Sequence, residues 1–379
     1  MIKVLYDDEI FSSQTTGGVS RYFAEIISHL HRIPDMSISL PLVLTANEYI
    51  RTCDLFHGAA MPSHFNFKGR RILFRLFNRP CLMRELHKRE FDVFHFTYYD
   101  VNLLKYLEDQ AFVITIHDLI PELFYGSTYS AAIRSGLIRL FPIQSLKRQL
   151  IERAARIVAV SLNTKNDLVR LYGAAPDKVD VIHPGVGNSV IYHGGSTPRR
   201  TPECFILITG RRWGYKNFLG VARSIGDTLR AKPDLHLLCV GGGQLTAEEM
   251  SVFESCGCSS RVIQMDLTDA ELAWAYAHAV AFVFPSLYEG FGIPILEAFA
   301  NGCPTILSNR SCFPEIGDEA ALFFDPDSPS QLETLLRRVV GDCELRRELA
   351  GRARVRLRDF SWTRSAQAHA GCYIKAADG

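Results

Sequence analysis

Apolar and polar positions follow two repeating patterns along the chain. Short runs of aliphatic and aromatic residues, such as Ile2–Tyr6, Phe112–His117 and Ala281–Phe284, are typical of buried strands. Longer stretches such as Gly18–His31 place apolar residues at helical spacing. Because the two patterns alternate from end to end, the sequence predicts an α/β protein built on parallel sheets.

A stretch rich in glycine, proline and polar residues, Gly185–Pro202, divides the alternation into two series. We therefore expect two similar-sized domains, residues 1–186 and 187–360, with a cleft between them, followed by a last helix in residues 361–379. A chain of 379 residues has the length for two domains.

Turn and capping residues predict several element boundaries. Thr246-Ala-Glu-Glu249 and Thr268-Asp-Ala-Glu271 have the spacing of capping boxes, and Asn217 precedes a helical pattern as a cap. The pattern also predicts one strand at Ile38–Leu44 and a helix at Ser330–Gly341.

Composition and charge exclude several classes of protein. The chain is 47% hydrophobic and 22% charged, which is typical of a soluble globular protein, and its formal net charge is +1. That near-neutral charge does not favour nucleic acid as a partner. No apolar run approaches the roughly 18 residues of a membrane-spanning helix, and Met1–Ile10 is acidic where a signal peptide is apolar. We therefore expect a cytoplasmic protein.

The ten cysteines are dispersed through apolar segments, so we expect reduced thiols rather than disulfides. The one close pair, Cys256-Gly-Cys258, lacks the spacing of a zinc site. The sequence therefore predicts no metal site and no resident cofactor.

The most informative segment contains two glutamates, Glu289 and Glu297, around Gly290-Phe-Gly-Ile-Pro294. A predicted strand leads into a glycine-bearing loop, and Pro294 then opens a short helix that Gly302 ends. The free amides at such a helix start can bind a phosphate, and carboxylates beside it can accept hydrogen bonds from sugar hydroxyls. The alternative interpretation is two surface glutamates flanking a helix cap.

Three other segments also lie at predicted strand ends. Gly210-Arg211-Arg212-Trp-Gly-Tyr-Lys216 places positive charge where it can neutralise a diphosphate, although a solvated basic loop is the alternative. Gly17-Gly18 permits close approach of a ligand to the backbone, and His117-Asp118 places an imidazole and a carboxylate at a sheet edge.

Taken together, these motifs resemble the retaining glycosyltransferases of family 4, which have the GT-B fold. The resemblance also includes Phe313-Pro-Glu-Ile-Gly and Phe360-Ser-Trp, and it covers nearly the whole chain. Tyr6-Asp-Asp-x-Ile-Phe is most similar to bacterial mannosyl- and rhamnosyltransferases of lipopolysaccharide O-antigen or capsule. It implies two Rossmann-like, doubly wound domains facing each other across a cleft, the first binding the acceptor and the second the nucleotide sugar. The last helix is then expected to cross back onto the first domain.

The resemblance also implies roles for individual residues. Glu289 would contact hydroxyls of the donor sugar, Glu297 would hold the ribose, and Lys216 with Arg211 or Arg212 would clamp the diphosphate; we favour Arg212. The catalytic candidates are therefore His117, Asp118, Arg212, Lys216 and Glu289. The donor-binding candidates are Gly17, Gly18, Arg211, Ile263, Gly290, Phe291, Gly292, Ile293 and Glu297.

The implied reaction is metal-independent transfer of a sugar, with mannose from GDP-mannose as the best candidate, to a saccharide or lipid-linked oligosaccharide with retention of configuration. A non-hydrolysing nucleotide-sugar 2-epimerase of the same fold is the alternative. A nucleotide-binding dehydrogenase is disfavoured because neither half carries the full Gly-x-Gly-x-x-Gly order.

Residues 68–89 carry eight basic residues and one acidic residue, interleaved with apolar ones. Such a segment can lie on an anionic bilayer, which predicts weak peripheral contact with the inner face of the cell membrane. A helix that faces the core and has a solvated basic side is the alternative.

Overall fold

The computed structural model describes residues 1–62, 67, 69–124, 143–187, 190–195, 197–198 and 201–379. The chain forms two compact units. The first comprises Met1–Pro184 together with Trp362–Gly379, and the second comprises Gly185–Ser361.

The first unit is built on a parallel sheet in the order β2-β1-β5-β6-β7-β8, beside a small β3-β4 pair. Its strands are β1 (Ile2–Tyr6), β2 (Met36–Ser39), β3 (Leu44–Thr45), β4 (Ala59–Ala60), β5 (Val93–Phe96), β6 (Ala111–Ile116), β7 (Arg156–Ala159) and β8 (Val179–Val181). Its helices before the second unit are α1 (Glu9–Ser13), α2 (Gly18–Leu30), α3 (Arg70–Lys88), α4 (Leu104–Leu107), α5 (Ile120–Phe124), α6 (Ile143–Arg153) and α7 (Leu162–Tyr172).

The second unit has a parallel sheet in the order β11-β10-β9-β12-β13-β14. Its strands are β9 (Phe205–Thr209), β10 (His236–Val240), β11 (Val262–Met265), β12 (Ala281–Phe284), β13 (Thr305–Ser308) and β14 (Leu322–Phe324). Its helices are α8 (Phe218–Ala231), α9 (Ala247–Ser255), α10 (Asp269–His278), α11 (Ile293–Ala300), α12 (Phe313–Gly317), α13 (Ser330–Gly341) and α14 (Cys343–Arg356).

The last helix, α15 (Trp362–Ala377), belongs to the first unit although it follows the second in the chain. It packs against α2 and against strands β1, β5, β6 and β7. Lys375 near its end forms an ion pair with Asp180 of β8 at 3.0 Å. Residues 362–379 therefore complete one face of the first sheet.

Side-chain alternation gives the first sheet two different faces. Phe112, Ile114 and Ile116 of β6 join the aliphatic and phenylalanine core formed with α3, α6 and α7. Thr115 and His117 point the other way, toward α2 and α15, because successive side chains of a strand alternate between faces. This second face carries buried tyrosines and histidines.

Each sheet reverses its strand order beside its first strand. In the first sheet β2 and β5 lie on opposite sides of β1, and in the second sheet β10 and β12 lie on opposite sides of β9. Open parallel sheets bind ligands at the carboxyl ends of the strands beside such a reversal. We therefore expect a ligand site at the loops after β1 and β5 or at those after β9 and β12.

The structure confirms the alternating α/β pattern and corrects some local predictions. Both capping boxes form, at Thr246 and at Thr268. Asn217 precedes α8 in a left-handed conformation (φ 55°) and makes no side-chain cap bond. The single strand expected at Ile38–Leu44 is broken, because Pro41 has no backbone N–H to donate to the sheet.

Candidate functional site

Lys216 and Glu289 meet at the strand reversal of the second unit. Lys216 lies in the loop after β9, Glu289 lies in the loop after β12, and Lys216 Nζ is 2.6 Å from Glu289 Oε1. The two side chains are 18% and 12% exposed, so the pair is shielded but reachable. The ammonium also lies over the Tyr215 and Phe284 rings at 5.2 and 5.4 Å. These contacts fix a cation and a carboxylate where an open sheet binds its ligand.

The loop that carries Glu289 is held from both sides. The Leu287 N–H donates to the Tyr215 carbonyl at 2.7 Å, which ties the loop to its neighbour after β9. On the other side, the Ser311 hydroxyl donates to the Glu289 carbonyl at 2.7 Å and accepts from the Glu289 N–H at 3.2 Å. The Cys312 thiol donates to the Phe291 carbonyl at 3.0 Å. Burial raises the pKa of that thiol, so it remains a donor.

Gly292 is required where this loop enters α11. Its φ of 97° lies in the left-handed region, and a Cβ there would approach Ile295, Phe284 and Phe313 within 3.0 to 3.4 Å. Gly290 and Phe291 are buried, while Gly292 and Ile293 are partly exposed. Gly292 thus lets the loop of Glu289 turn directly into α11, whose first amides have no partner within the helix.

Glu297 lies in the second turn of α11 and is 6% exposed. The buried Tyr276 hydroxyl donates to Glu297 Oε2 at 3.3 Å. Ile263 lies on β11, the edge strand of the sheet, and is partly exposed. The positioning roles of Tyr276 and Ser311 were not predicted, because only the folded topology brings them to the two glutamates.

The two adjacent arginines after β9 differ in environment. Arg211 is exposed, whereas Arg212 is 5% exposed. Arg212 Nε is 3.0 Å from Glu249 Oε1, and its other nitrogens donate to the carbonyls of Gly241, Gly243 and Gln244 at 2.8 to 3.0 Å. The guanidinium of Arg212 therefore shapes the triple-glycine loop after β10.

In the first unit, Gly17 and Gly18 lie at the start of α2. Gly18 is exposed, with open space at its Cβ position. Gly17 faces the Gln14 side chain, which accepts a hydrogen bond from the Ser20 N–H at 3.2 Å and so helps cap the helix.

His117 and Asp118 follow β6 at the same edge of the first sheet. The Tyr22 ring packs edge-on against the His117 imidazole, with centroids 4.8 Å apart. Burial, together with the nearby positive charge of Lys147, lowers the pKa of His117 to about 3, so the ring is neutral near pH 7. Asp118 Oδ1 accepts the Ile120 N–H at 3.1 Å, and the Asp118 carbonyl accepts from Lys147 Nζ at 3.0 Å. A neutral imidazole can give or take a hydrogen bond from a hydroxyl without changing charge.

Across the ranges that the structure describes, no cluster of three or more His, Cys, Asp or Glu side chains is arranged to hold a metal ion. A pocket of about 880 Å³ does occur in the second unit, between Ile191–Gly195 and the segment Met265–Thr268. It includes the carboxyl end of β11.

Two doubly wound parallel sheets in one chain are the architecture expected of a GT-B glycosyltransferase. Comparison with known families agrees. Residues 16–188 match the family model described as Glycosyltransferase Family 4, and residues 195–356 match Glycosyl transferases group 1. The chain therefore belongs to the family-4 glycosyltransferases.

Individual relatives are similar at modest identity. The O-antigen chain mannosyltransferase RfbU of Salmonella typhimurium is 25% identical over 236 residues, which span 60% of each protein. O-antigen chain mannosyltransferase B of Escherichia coli is 24% identical over 95% of this chain and 96% of its own. The Anabaena HepE structure with UDP and glucose has a TM-score of 0.69 at 14% identity, covering 98% of this chain and 99% of its own. These similarities give no support to the epimerase alternative.

Proposed function

We propose that this protein transfers mannose from GDP-mannose to a hydroxyl of a growing, lipid-linked bacterial surface polysaccharide, with retention of anomeric configuration. The observation that carries the proposal is the Lys216–Glu289 pair at the strand reversal, in the loops after β9 and β12. The similarity to O-antigen mannosyltransferases supports the choice of sugar and acceptor. HepE, of similar fold, binds UDP and glucose, which supports a nucleotide-sugar donor.

Lys216 and Arg211 are the proposed contacts of the donor diphosphate. An ammonium has three donors, so the bond to Glu289 leaves two for phosphate oxygens. Arg211 is preferred to Arg212 because Arg211 is exposed, whereas the ion pair and carbonyl bonds of Arg212 occupy its guanidinium. We propose that the two cations offset the charge of the leaving diphosphate without a metal ion.

The remaining donor contacts follow from position. Glu289 is proposed to accept hydrogen bonds from sugar hydroxyls, beside the amides of Gly290–Ile293, and Glu297 to accept them from the ribose. The backbone at Ile263 is proposed to face the base. Gly18 and His117 are proposed as contacts from the first unit, with Gly17 and Asp118 shaping their loops.

The proposed step is a same-face displacement. The bond from the anomeric carbon to the diphosphate oxygen breaks, and the acceptor oxygen bonds to that carbon from the same side. The acceptor hydroxyl proton passes to the departing phosphate oxygen, so no protein base is required.

Binding and turnover together test the proposal. We expect GDP-mannose to raise the melting temperature more than other guanosine or uridine sugars, and an acceptor extract to release GDP and yield an α-mannoside. EDTA should leave the rate unchanged. Glu289→Gln should abolish transfer, whereas Arg337→Gln, which breaks an exposed ion pair on α13, should not. No shift with any nucleotide sugar, or a product of inverted configuration, would contradict the proposal.

Peripheral membrane contact through α3 is a second part of the proposal. Lys68 lies outside the described residues, and several cations of α3 are paired: Arg75 with Glu9 and Asp100, and Arg79 with Asp100. Ile72, Leu76 and Phe77 are 68%, 67% and 54% exposed, and Arg71 and Arg84 of the same helix are also exposed. Apolar side chains among arginines suit an anionic bilayer surface. None of the described helices is long and apolar enough to cross a membrane.

Flotation with vesicles tests this contact. We expect the protein to float with phosphatidylglycerol-containing vesicles at low salt and less with pure phosphatidylcholine. The Ile72→Ser/Leu76→Ser variant should lose the interaction, whereas Val355→Ser, which removes an exposed apolar residue of α14, should keep it. Absence of flotation at low salt would remove this part of the proposal.

A further inference from the structure

A chain of contacts joins the C-terminal helix to His117. Tyr22 of α2 is 1% exposed, and its hydroxyl lies 2.8 Å from His369 Nε2 on α15. His369 Nδ1 lies 2.8 Å from the Ser365 carbonyl, which can only accept. Nδ1 therefore carries the proton, and Nε2 accepts from the Tyr22 hydroxyl. This geometry fixes both the tautomer of His369 and the orientation of the Tyr22 phenol.

The oriented Tyr22 ring in turn restrains His117. Its plane is 89° from that of the His117 imidazole, and Phe23 packs on the same imidazole at 5.7 Å and 77°. Trp362, the first residue of α15, packs edge-on against Tyr22 at 5.8 Å. Two aromatic edges therefore hold the His117 ring.

His117 itself has an unused polar atom. Its Nε2 is buried and has no hydrogen-bond partner among the residues the structure describes. An unsatisfied buried nitrogen costs free energy, so a structure that keeps one in a fixed place calls for an explanation. Restraint by aromatic rings explains how the atom stays in place without a polar partner.

We infer that Tyr22 and His369 are positioning residues, through which the C-terminal helix holds the His117 imidazole in the orientation that the transfer reaction uses. The inference rests on the proposed role of His117 as a donor contact. The C-terminal helix α15, which completes one face of the first sheet, would then also affect the rate of the reaction. A misplacement of about 1 Å in a catalytic group can cost about 100-fold in rate, so a modest loosening is measurable.

A second series of hydrogen bonds, which also begins on α15, provides a matched comparison. The Tyr373 hydroxyl bonds Tyr6 and lies 2.6 Å from His95 Nδ1, and His95 Nε2 lies 2.9 Å from Thr115 Oγ1. Tyr373 is as buried as Tyr22 and docks the same helix, but its hydroxyl is directed at Tyr6 and His95. Because the Tyr373 hydroxyl bonds Tyr6 and His95 rather than Tyr22, its loss should lower stability and disturb His117 less than loss of the Tyr22 hydroxyl does.

A double-mutant cycle tests the inference, with release of GDP from GDP-mannose as the assay and melting temperature measured separately. Tyr22→Phe keeps the ring and removes the bond to His369; we expect it to lower kcat about tenfold with the KM for GDP-mannose changed less than twofold. In a His117→Ala background, the same substitution should change kcat less than twofold. Tyr373→Phe should change kcat less than twofold in both backgrounds while lowering the melting temperature.

The outcomes of this cycle distinguish the positioning inference from the proposed role of His117. If Tyr22→Phe costs the same factor with and without His117, or costs nothing in either, the positioning inference is wrong while the proposed function stands. If His117→Ala retains full activity, the proposed role of His117 fails and the inference fails with it. His369→Asn provides a second route to the same cycle if Tyr22→Phe folds poorly.

Discussion

The two units contain strand reversals of the same topology but fill them differently. In the second unit the reversal between β9 and β12 holds a partly exposed cation and carboxylate, Lys216 and Glu289. In the first unit the reversal between β1 and β5 is filled by Asp7 and Thr97, which are 0% and 2% exposed. The strand order therefore creates two possible ligand sites, and only the one in the second unit has charged side chains that are partly exposed to solvent.

In the first unit, hydrogen bonds between backbone amides and the side chains of Asp7 and Thr97 close the strand reversal. Asp7 Oδ2 accepts the Thr97 N–H at 3.1 Å, Asp7 Oδ1 accepts the Glu9 N–H at 3.0 Å, and the Ile10 N–H donates to the Thr97 hydroxyl at 3.1 Å. These bonds lay α1 across the strand ends. The difference supports our proposal that the charged donor contacts lie in the second unit.

The largest effect is expected from the open reversal. Lys216→Ala should lower the transfer rate by about 100- to 1000-fold, because it removes a cation that we propose offsets the leaving-group charge. The free energy of unfolding should fall by about 1 to 3 kcal/mol, since the exposure of the pair is between that of a surface and of a buried ion pair. Steady-state kinetics and urea unfolding measure the two effects. Arg337→Ala, in an exposed pair on α13, is the control, and equal losses of activity would contradict the assignment.

The neighbouring arginines separate stability from activity within the second unit. Arg212→Ala should lower the free energy of unfolding by about 3 to 5 kcal/mol, because Glu249 and three carbonyls would lose a buried partner. Arg211→Ala should change it by less than about 0.5 kcal/mol and lower activity. Denaturant unfolding of both variants measures the difference. If Arg211→Ala is fully active, the exposed arginine is not the diphosphate contact.

The sequence predicts the fold better than it predicts the site. Strands Ile2–Tyr6 and Ala281–Phe284 and helix Ser330–Gly341 have the predicted bounds, because short apolar runs and turn residues are local signals. The choice between Arg211 and Arg212 is not local, since it depends on which guanidinium reaches Glu249 some 37 positions away. The pairing of Lys216 with Glu289 likewise requires the strand order.

The buried polar face of the first unit should respond to acid. Burial lowers the pKa of His369 from 6.5 to about 4, so the unfolded chain takes up a proton that the folded chain refuses as the pH falls through this range. Stability contributed by the neutral ring is therefore present above pH 6.5 and lost toward pH 4. His369→Gln should remove about 3 kcal/mol of this loss between pH 7 and 4.

Urea unfolding of the parent and of His369→Gln at both pH values measures that loss. His31→Gln, at an exposed position of the first unit, is the control. If the difference in free energy of unfolding between parent and His369→Gln is the same at pH 7 and pH 4, His369 is solvated and the prediction is wrong.

The smallest effect on activity is expected at the closed strand reversal of the first unit. Asp7→Ala should lower the free energy of unfolding by about 2 kcal/mol, because the Thr97 and Glu9 amides lose their acceptor in a buried place. Burial also raises the pKa of Asp7, because a charged carboxylate is costly in a buried place. Removing this carboxyl removes that cost, which offsets part of the loss. Turnover per folded molecule should stay within twofold of the parent. A stable Asp7→Ala protein with little activity would mean that both strand reversals bind substrate. The two units would then differ in which part of the substrate they bind, and not in whether the reversal is accessible.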